Sequence, residues 1–411
     1  MRPQRVVITG LGAVSALGCS VDSLWEGLLA GKSGVVALTD MDLSGCRTRI
    51  GARAAGYDAD AHFSAREQKR LTLTSQMAFV AAMEALGHAG IALDQIKCSQ
   101  MGVVLGASTG GFVGIEPTLR DFVVEGRIGD PMAIPMLMNS APASNISIKL
   151  GLKGPVITMD AACASSAHAI GYAFNLIRFG LSSIILAGGA DSSFCGSLLH
   201  AWSMLRALSE HNDNPAEACR PFSLDRDGMV LGEGAGMLIL ESEESAKARG
   251  ASILAEVKGY AATGDGFHLT QPTVEGISQA MRLALTDADL SPSDIDYVNA
   301  HATGTRWNDK TETAGIKNVF GERAYQIPVV GIKPAVGHTM GACGALELIS
   351  CVLSIRDSVV PPTINVRVPD PECDLDYAAE GARKWPVRHA MSNSFAFGGS
   401  NAVVVVSRYQ S

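Results

Sequence analysis

Short apolar runs alternate with helical apolar periodicity along most of the chain. Arg5 to Thr9 is the first run with strand character. Ser64 to Ala89 is the first long helical pattern, opened by a capping box of Ser64 and Glu67. Met101 to Gly106 reads as a strand, and so does Val156 to Met159. A helix over Ala164 to Phe179, stopped by Gly180, and the apolar run Ile184 to Ala187 come next. A second series begins near Ala255. It predicts helices over Ile277 to Asp287, Asp309 to Phe320 and Met340 to Ile355, with strand-like runs at Ile295 to Asn299 and Val329 to Val330. Two apolar stretches, Ala390 to Phe395 and Ala402 to Val406, end the pattern. Such alternation predicts an α/β protein with a largely buried sheet. Two series of similar size with no low-complexity linker predict two halves, residues 1–254 and 255–411, packed as one body.

Composition narrows the functional classes. The 411 residues are 47% hydrophobic, yet no apolar run reaches the roughly 20 residues that a membrane span needs. A net charge of −8 argues against nucleic acid as the main ligand, while leaving room for an acidic partner on a local basic patch. Nine cysteines (Cys19, Cys46, Cys98, Cys163, Cys195, Cys219, Cys343, Cys351 and Cys373) are scattered without CxxC spacing. The apolar stretch Val6 to Gly10 is too short for a secretory segment. Together these features predict reduced thiols in a cytoplasmic protein and no metal site.

Cys163 stands out by position. It lies between the strand Val156 to Met159 and a small-residue helix. Unpaired N–H groups and the helix macrodipole there favour thiolate over thiol and could hold an oxyanion. A single cysteine is ordinarily a small buried hydrophobe, so the weight falls on three motifs downstream. Val298-Asn-Ala-His301-Ala-Thr303-Gly-Thr305 ends a strand in a histidine and two hydroxyls. Gly331-Ile-Lys333 to His338 is a turn ahead of a Gly/Ala-rich helix carrying Glu347. Ser392-Asn-Ser-Phe395-Ala-Phe397-Gly-Gly-Ser-Asn401 is a glycine loop between two strands. A cysteine, two histidines and a lysine at element ends are where α/β folds assemble sites.

On these motifs the chain resembles, end to end, the β-ketoacyl-acyl-carrier-protein synthases of the thiolase-like condensing enzymes. The resemblance implies duplicated α/β halves in α-β-α-β-α layers and a decarboxylative Claisen condensation on an acyl chain held by Cys163. It implies that His301 and His338 stabilise the enolate, that Lys333 orders the site, and that the backbone N–H groups of Cys163 and Phe397 form an oxyanion hole. Thr303 and Thr305 resemble residues that hold the pantetheine arm. Phe395, Thr109 and His268 match substrate-side positions, and Phe397 the gate. Asp309, Glu312 and Glu347 match supporting acids, although the first two would serve equally as a cap and first-turn acid of a helix. Lys69 and Arg206 become candidate docking residues for an acyl carrier protein. No separate cofactor is implied, since substrates arrive on the carrier's phosphopantetheine. A homodimer, or a heterodimer with a chain-length-factor-like subunit, is.

The chain departs from the family pattern at several positions. Ala302, Val336 and Ala396 replace a glycine, a threonine and a glycine, Thr109 replaces an isoleucine, and methionines populate Met132 to Met138 where aromatics are common. Alanine resists positive φ, so a glycine-loop residue needing it would stiffen the gate, and methionine walls are adaptable. Of the two pathways that the resemblance implies, fatty-acid or specialised (polyketide- or polyene-like) biosynthesis, these features argue against a housekeeping fatty-acid role and point to an unusual acyl chain from a specialised pathway. A non-catalytic partner subunit would lack the nucleophile. A degradative thiolase would carry a second cysteine in the C-terminal glycine loop, whereas Cys343 and Cys351 fall on a predicted helix. Gly10-x-Gly12-x-x-Ser15 lacks the third glycine and the acid of a dinucleotide site.

Overall fold

The computed structural model describes residues 3–92 and 100–411; Cys98 lies outside them. Ten strands form the main sheet: β1 (Val6–Val14), β2 (Met101–Gly106), β3 (Val156–Met159), β4 (Ile184–Asp191), β5 (Gly234–Ser242), β6 (Ala255–Gly264), β7 (Tyr297–Asn299), β8 (Val329–Val330), β9 (His389–Phe395) and β10 (Ser400–Ser407). Their spatial order is β8-β7-β9-β10-β6-β1-β5-β4-β2-β3. Read outward from the middle, the first five strands run 1-5-4-2-3 and the second five repeat that order with five added. Directions repeat as well. In the first set β1–β5 and β5–β4 are antiparallel and β4–β2 and β2–β3 parallel. In the second, β6–β10 and β10–β9 are antiparallel and β9–β7 and β7–β8 parallel. The sets join where Val6–Ile8 of β1 pairs with β6.

Helices complete five layers. Helix α1 (Leu73–His88) covers the outer face of the first set. Helices α2 (Ser165–Arg178) and α3 (Cys343–Asp357) lie between the sets, and α4 (Val274–Ala288) and α5 (Arg306–Phe320) cover the second outer face. Every residue of α3 from Cys343 to Ile355 is buried, as a helix enclosed on all sides must be. This is the expected thiolase-like α-β-α-β-α arrangement.

Local differences from the pattern have local causes. The helix expected over Ser64 to Ala89 is two, Ala65–Gln68 and α1, because Thr72 caps a fresh start by accepting from Ser75 N after the Ser64 capping box. The apolar strand β5 and the helix Gly110–Glu125, which carries Pro117, add to the pattern.

Helix α2 presses closely on β2. A Cβ on Gly106 would lie 2.3 Å from Ser165 C and Ser166 N, at the first turn of the helix that follows Cys163. Gly106→Ala is therefore expected to cost about 1–3 kcal/mol, the range of overpacked cores, read from denaturant midpoints. A variant of wild-type stability would show that the contact relaxes freely.

Candidate active site

Cys163 occupies a sharp turn. Leaving β3, the chain forms a 3-10 turn at Ala162–Ala164 before α2, and Ala162 takes φ 47°. That left-handed angle costs an L-residue roughly 1–2 kcal/mol. Ser165 offsets part of it, its hydroxyl accepting from Ala161 N (2.9 Å) and donating to Ala162 O (2.6 Å).

His301 follows β7 on a loop held by carboxylates. Glu312 on α5 accepts from the backbone N–H of His301 (2.8 Å) and of Ala302 (2.9 Å). Asp309 accepts from Gly304 N at 3.2 Å and Phe222 N at 3.0 Å. These acids thus grip the loop backbone and leave the ring alone. Burial pushes Glu312 up to about 7, with the N–H groups of Ala302 and His301 opposing. Ala302, in place of the family glycine, takes φ 46°, and its methyl lies where Gly331 leaves room.

Lys333 is wholly buried. It donates to His301 O (2.5 Å), to His301 Nδ1 (3.3 Å) and to Glu347. Burial alone would discharge it, but the Glu347 carboxylate outweighs burial and raises its pKa, so it remains an ammonium. His338 receives Met340 N–H (3.1 Å) on Nδ1, with the Cys343 sulfur 3.4 Å from the same atom. Both rings are held neutral, well below the ordinary imidazole value, by burial first and the Lys333 charge second. A neutral ring that accepts at Nδ1 carries its proton on Nε2. The rings meet edge to face, centroids 5.6 Å apart.

The sulfur of Cys163 and a nitrogen of each ring lie within 4.8 Å of one another. Three such ligands could in principle take zinc. A zinc-bound histidine, however, donates its other N–H outward, and here Nδ1 of each ring faces a donor, Lys333 Nζ or Met340 N. The surroundings favour Nε2–H donors and disfavour a metal.

The expected resting thiolate is corrected by burial, which pushes Cys163 up to about 12. Lys333 and the backbone N–H groups of Phe397 and of Cys163 itself pull the other way and lose. The resting group is a thiol with two amides aimed at its sulfur.

A cavity of about 390 Å³ opens over these groups, lined by Cys163, His301, His338, Thr303, Thr305, Phe395, Phe397 and Arg206. The hydroxyls of Thr303 and Thr305 are 2.8 Å apart, and the Phe397 ring leans on Trp202 at 6.1 Å. Three candidates stand apart from the lining. Thr109 is tied to Asp191 and Ser193. His268 is exposed, its Nδ1 accepting from Thr270 N. Lys69 is exposed at the end of the short helix Ala65–Gln68. The lining also includes Arg306, Trp307 and Gln271, which the motif reading passed over; Arg306 and Trp307 directly follow Thr305.

A cysteine under two backbone N–H groups and beside two neutral imidazoles, on this duplicated scaffold, matches the thiolase-like condensing enzymes. The profile "Beta-ketoacyl synthase, N-terminal domain" matches residues 3–246, and its C-terminal counterpart matches 254–367. The chain belongs to the β-ketoacyl synthase family. It is 42% identical over 402 residues to nodulation protein E of Rhizobium meliloti (strain 1021), covering 98% of each chain. It is 40% identical over 410 residues to 3-oxoacyl-[acyl-carrier-protein] synthase 2 of Staphylococcus aureus (strain COL), covering 99% of each. A β-ketoacyl synthase from Burkholderia phymatum superposes with a TM-score of 0.93 at 38% identity, covering 99% of this chain and 100% of that one. The ketosynthase/chain length factor of ishigamide gives 0.92 at 35%, with the same coverage.

Because both rings are neutral in the fold, the unfolded chain binds more protons below about pH 6.5, the ordinary imidazole value. Stability should fall with pH there by about 1.4 kcal/mol per unit for each ring. His338→Asn is expected to lose one such slope in denaturant titrations between about pH 5 and 7. An unchanged slope would mean that the ring titrates normally.

Proposed function

We propose that Cys163 carries the acyl chain and that His301 and His338 stabilise the enolate formed from a malonyl unit delivered by an acyl carrier protein. The observation that carries this reading is the sulfur within 4.8 Å of both imidazoles, with the N–H groups of Cys163 and Phe397 turned on it. Residues 1–254 supply the nucleophile, and 255–411 the histidines, Lys333 and the glycine loop. The loading step joins the Cys163 sulfur to the acyl carbonyl carbon and breaks the carrier thioester. The thiol proton leaves on the pantetheine sulfur. In condensation the bond to the malonyl carboxylate breaks and CO2 departs. The electron pair becomes an enolate, whose oxygen accepts from the Nε2–H of each ring. Its carbon attacks the acyl carbonyl, the oxyanion rests on the two amides, and the C–S bond to Cys163 breaks. The product is a 3-oxoacyl chain two carbons longer. Thr303 and Thr305, on the wall of the cavity, fit the amides of the pantetheine arm. Arg206 at the mouth, together with Lys69, fits an acidic carrier.

A second chain is part of this reading. Phe122, Val123, Val124, Ile128, Ile134 and Met138 are exposed apolar side chains, and the half-exposed strand β3 is an edge of the sheet. An apolar face of this kind marks an interface. It fits a homodimer, or a heterodimer like the ketosynthase/chain length factor neighbour. The methionines at 132, 136 and 138 lie outside the cavity lining, with Met132 and Met138 exposed, so they would meet an acyl chain only where a second chain completes the pocket.

Intact-mass measurement with a panel of acyl carrier proteins tests the reading. Wild type should gain one acyl group, Cys163→Ala should gain none, and Cys163→Gln should still release CO2 from malonyl carrier protein. Labelling that survives in Cys163→Ala would move the nucleophile elsewhere. Equal preference for ordinary saturated chains would end the specialised-substrate reading.

A further inference from the structure

The chemistry above leaves a proton unaccounted for. Loading is neutral in protons, because the thiol proton departs with the pantetheine. Condensation is not: CO2 leaves and the C–S bond breaks onto sulfur, so restoring the Cys163 thiol takes up one proton from solvent per turnover. The sulfur is buried, and the pantetheine arm fills the cavity while the bond breaks.

One buried feature of the fold matches that need, and the site as described makes no use of it. Helix α3 is enclosed, yet it carries a polar stripe: Glu347, Ser350 and Ser354, followed by Ser358 just past its end. Spacings of three to four residues keep these on one face. Eleven residues at 1.5 Å each span about 16 Å. The stripe starts at the Lys333 partner and ends at half-buried Ser358, whose hydroxyl accepts from Arg408.

Across the seam stand the Tyr297 hydroxyl, close to Ser350 and Ser354, and Ser394 of β9, whose Oγ lies 3.0 Å from a Cβ built on Gly344. Glu347 Oε2, Ser350 Oγ, Ser354 Oγ and Ser394 Oγ are all buried without a protein partner. Four such atoms in one seam are unusual, since buried polar groups are nearly always bonded to protein or ordered water.

We propose that this seam holds a file of water molecules that passes a proton from solvent, by way of Glu347, Lys333 and His301, to the Cys163 sulfur as the C–S bond breaks. Each link moves one proton between neighbouring groups, the last across the gap of at most 4.8 Å between the His301 ring and the Cys163 sulfur. His301 gives its Nε2 proton to sulfur and takes one at Nδ1 from Lys333 Nζ, 3.3 Å away; once the product has left, exchange with water in the open cavity returns the ring to its Nε2–H tautomer. Lys333 is refilled through Glu347, and Glu347 from the water file. Ser350, Ser354 and Tyr297 are positioning residues that hold the waters and touch no substrate.

The proposal rests on the condensation reading, and the two half-reactions separate them. Ser350→Ala, Ser354→Ala and their double variant would be compared with wild type for acyl loading by intact mass and for single-turnover condensation in H2O and D2O. Loading should stay within twofold. Condensation should fall about tenfold in the double variant, less than loss of a direct acid or base would cost, with a larger solvent isotope effect. Ser350→Thr should restore the rate. Tyr297→Phe, which removes a hydroxyl without opening a cavity, should give the same split should the helix variants fold poorly. Loading and condensation falling together would assign the seam a structural role, and unchanged rates in every variant would overturn the relay. A wild-type protein that neither loads nor condenses would instead refute the condensation reading.

Discussion

The buried pair of Lys333 and Glu347 sets the chemistry of everything around it. Taking two charges out of water costs several kcal/mol per ion, and pairing recovers this only in good geometry. A pair kept under such terms is best understood by what its charge does. The ammonium donates to Nδ1 of His301 and thereby fixes the ring's proton on Nε2. Its field also resists protonation of both rings. Two neutral rings can each donate an N–H to a developing anion, whereas two imidazolium ions beside an ammonium would repel one another. The same positive charge pulls against the burial that keeps Cys163 a thiol. Glu347 keeps the lysine charged, and so the glutamate acts on the histidines through the lysine.

The duplication explains where this machinery sits. In each half a 3-10 turn leads into the enclosed central helix, Ala162–Ala164 before α2 and Met340–Ala342 before α3. The first residue of each turn is left-handed, Ala162 at φ 47° and Met340 at φ 48°. One half places Cys163 at the second turn position, and the other places Gly341 there. The equivalent bends therefore serve different ends. The first presents the Cys163 thiol, and the second turns the Met340 N–H onto His338 and brings Gly341 N to buried Asp191. Strain of a few kcal/mol at such bends persists because packing on both sides fixes the backbone.

Much of this was legible in the sequence because the informative residues lie at element ends. The strand before Cys163, the helix after it and the stop at Gly180 follow from apolar periodicity and one glycine with positive φ. The Cys-His-His set was legible as motifs. Other parts required coordinates. The thiol's protonation turns on burial against two amides and a distant lysine, a balance that no local pattern encodes. Asp309 and Glu312 read equally as helix-start acids, and only the fold shows their oxygens on the backbone of residues 301 to 304. The second cap at Thr72 was hidden because apolar periodicity continues through the break.

The alanine of the glycine loop shows how a substitution can matter for one motion and not another. Ala396 is extended, at φ −112° and ψ 158°, where alanine is unstrained. The left-handed angles belong to Gly398 and Gly399, so the stiffening expected from the sequence is absent from this conformation. Gly398 N donates to Leu269 O, and Asp265 N to Gly399 O, tying the loop to the segment that carries His268. A gate that swings Phe397 by pivoting at the two glycines leaves residue 396 in its relaxed well. A gate that drives residue 396 itself to positive φ meets a cost of about 1–2 kcal/mol that glycine would not incur. The methyl therefore favours the observed loop conformation against the second route only, and any movement of this loop meets less resistance by the first.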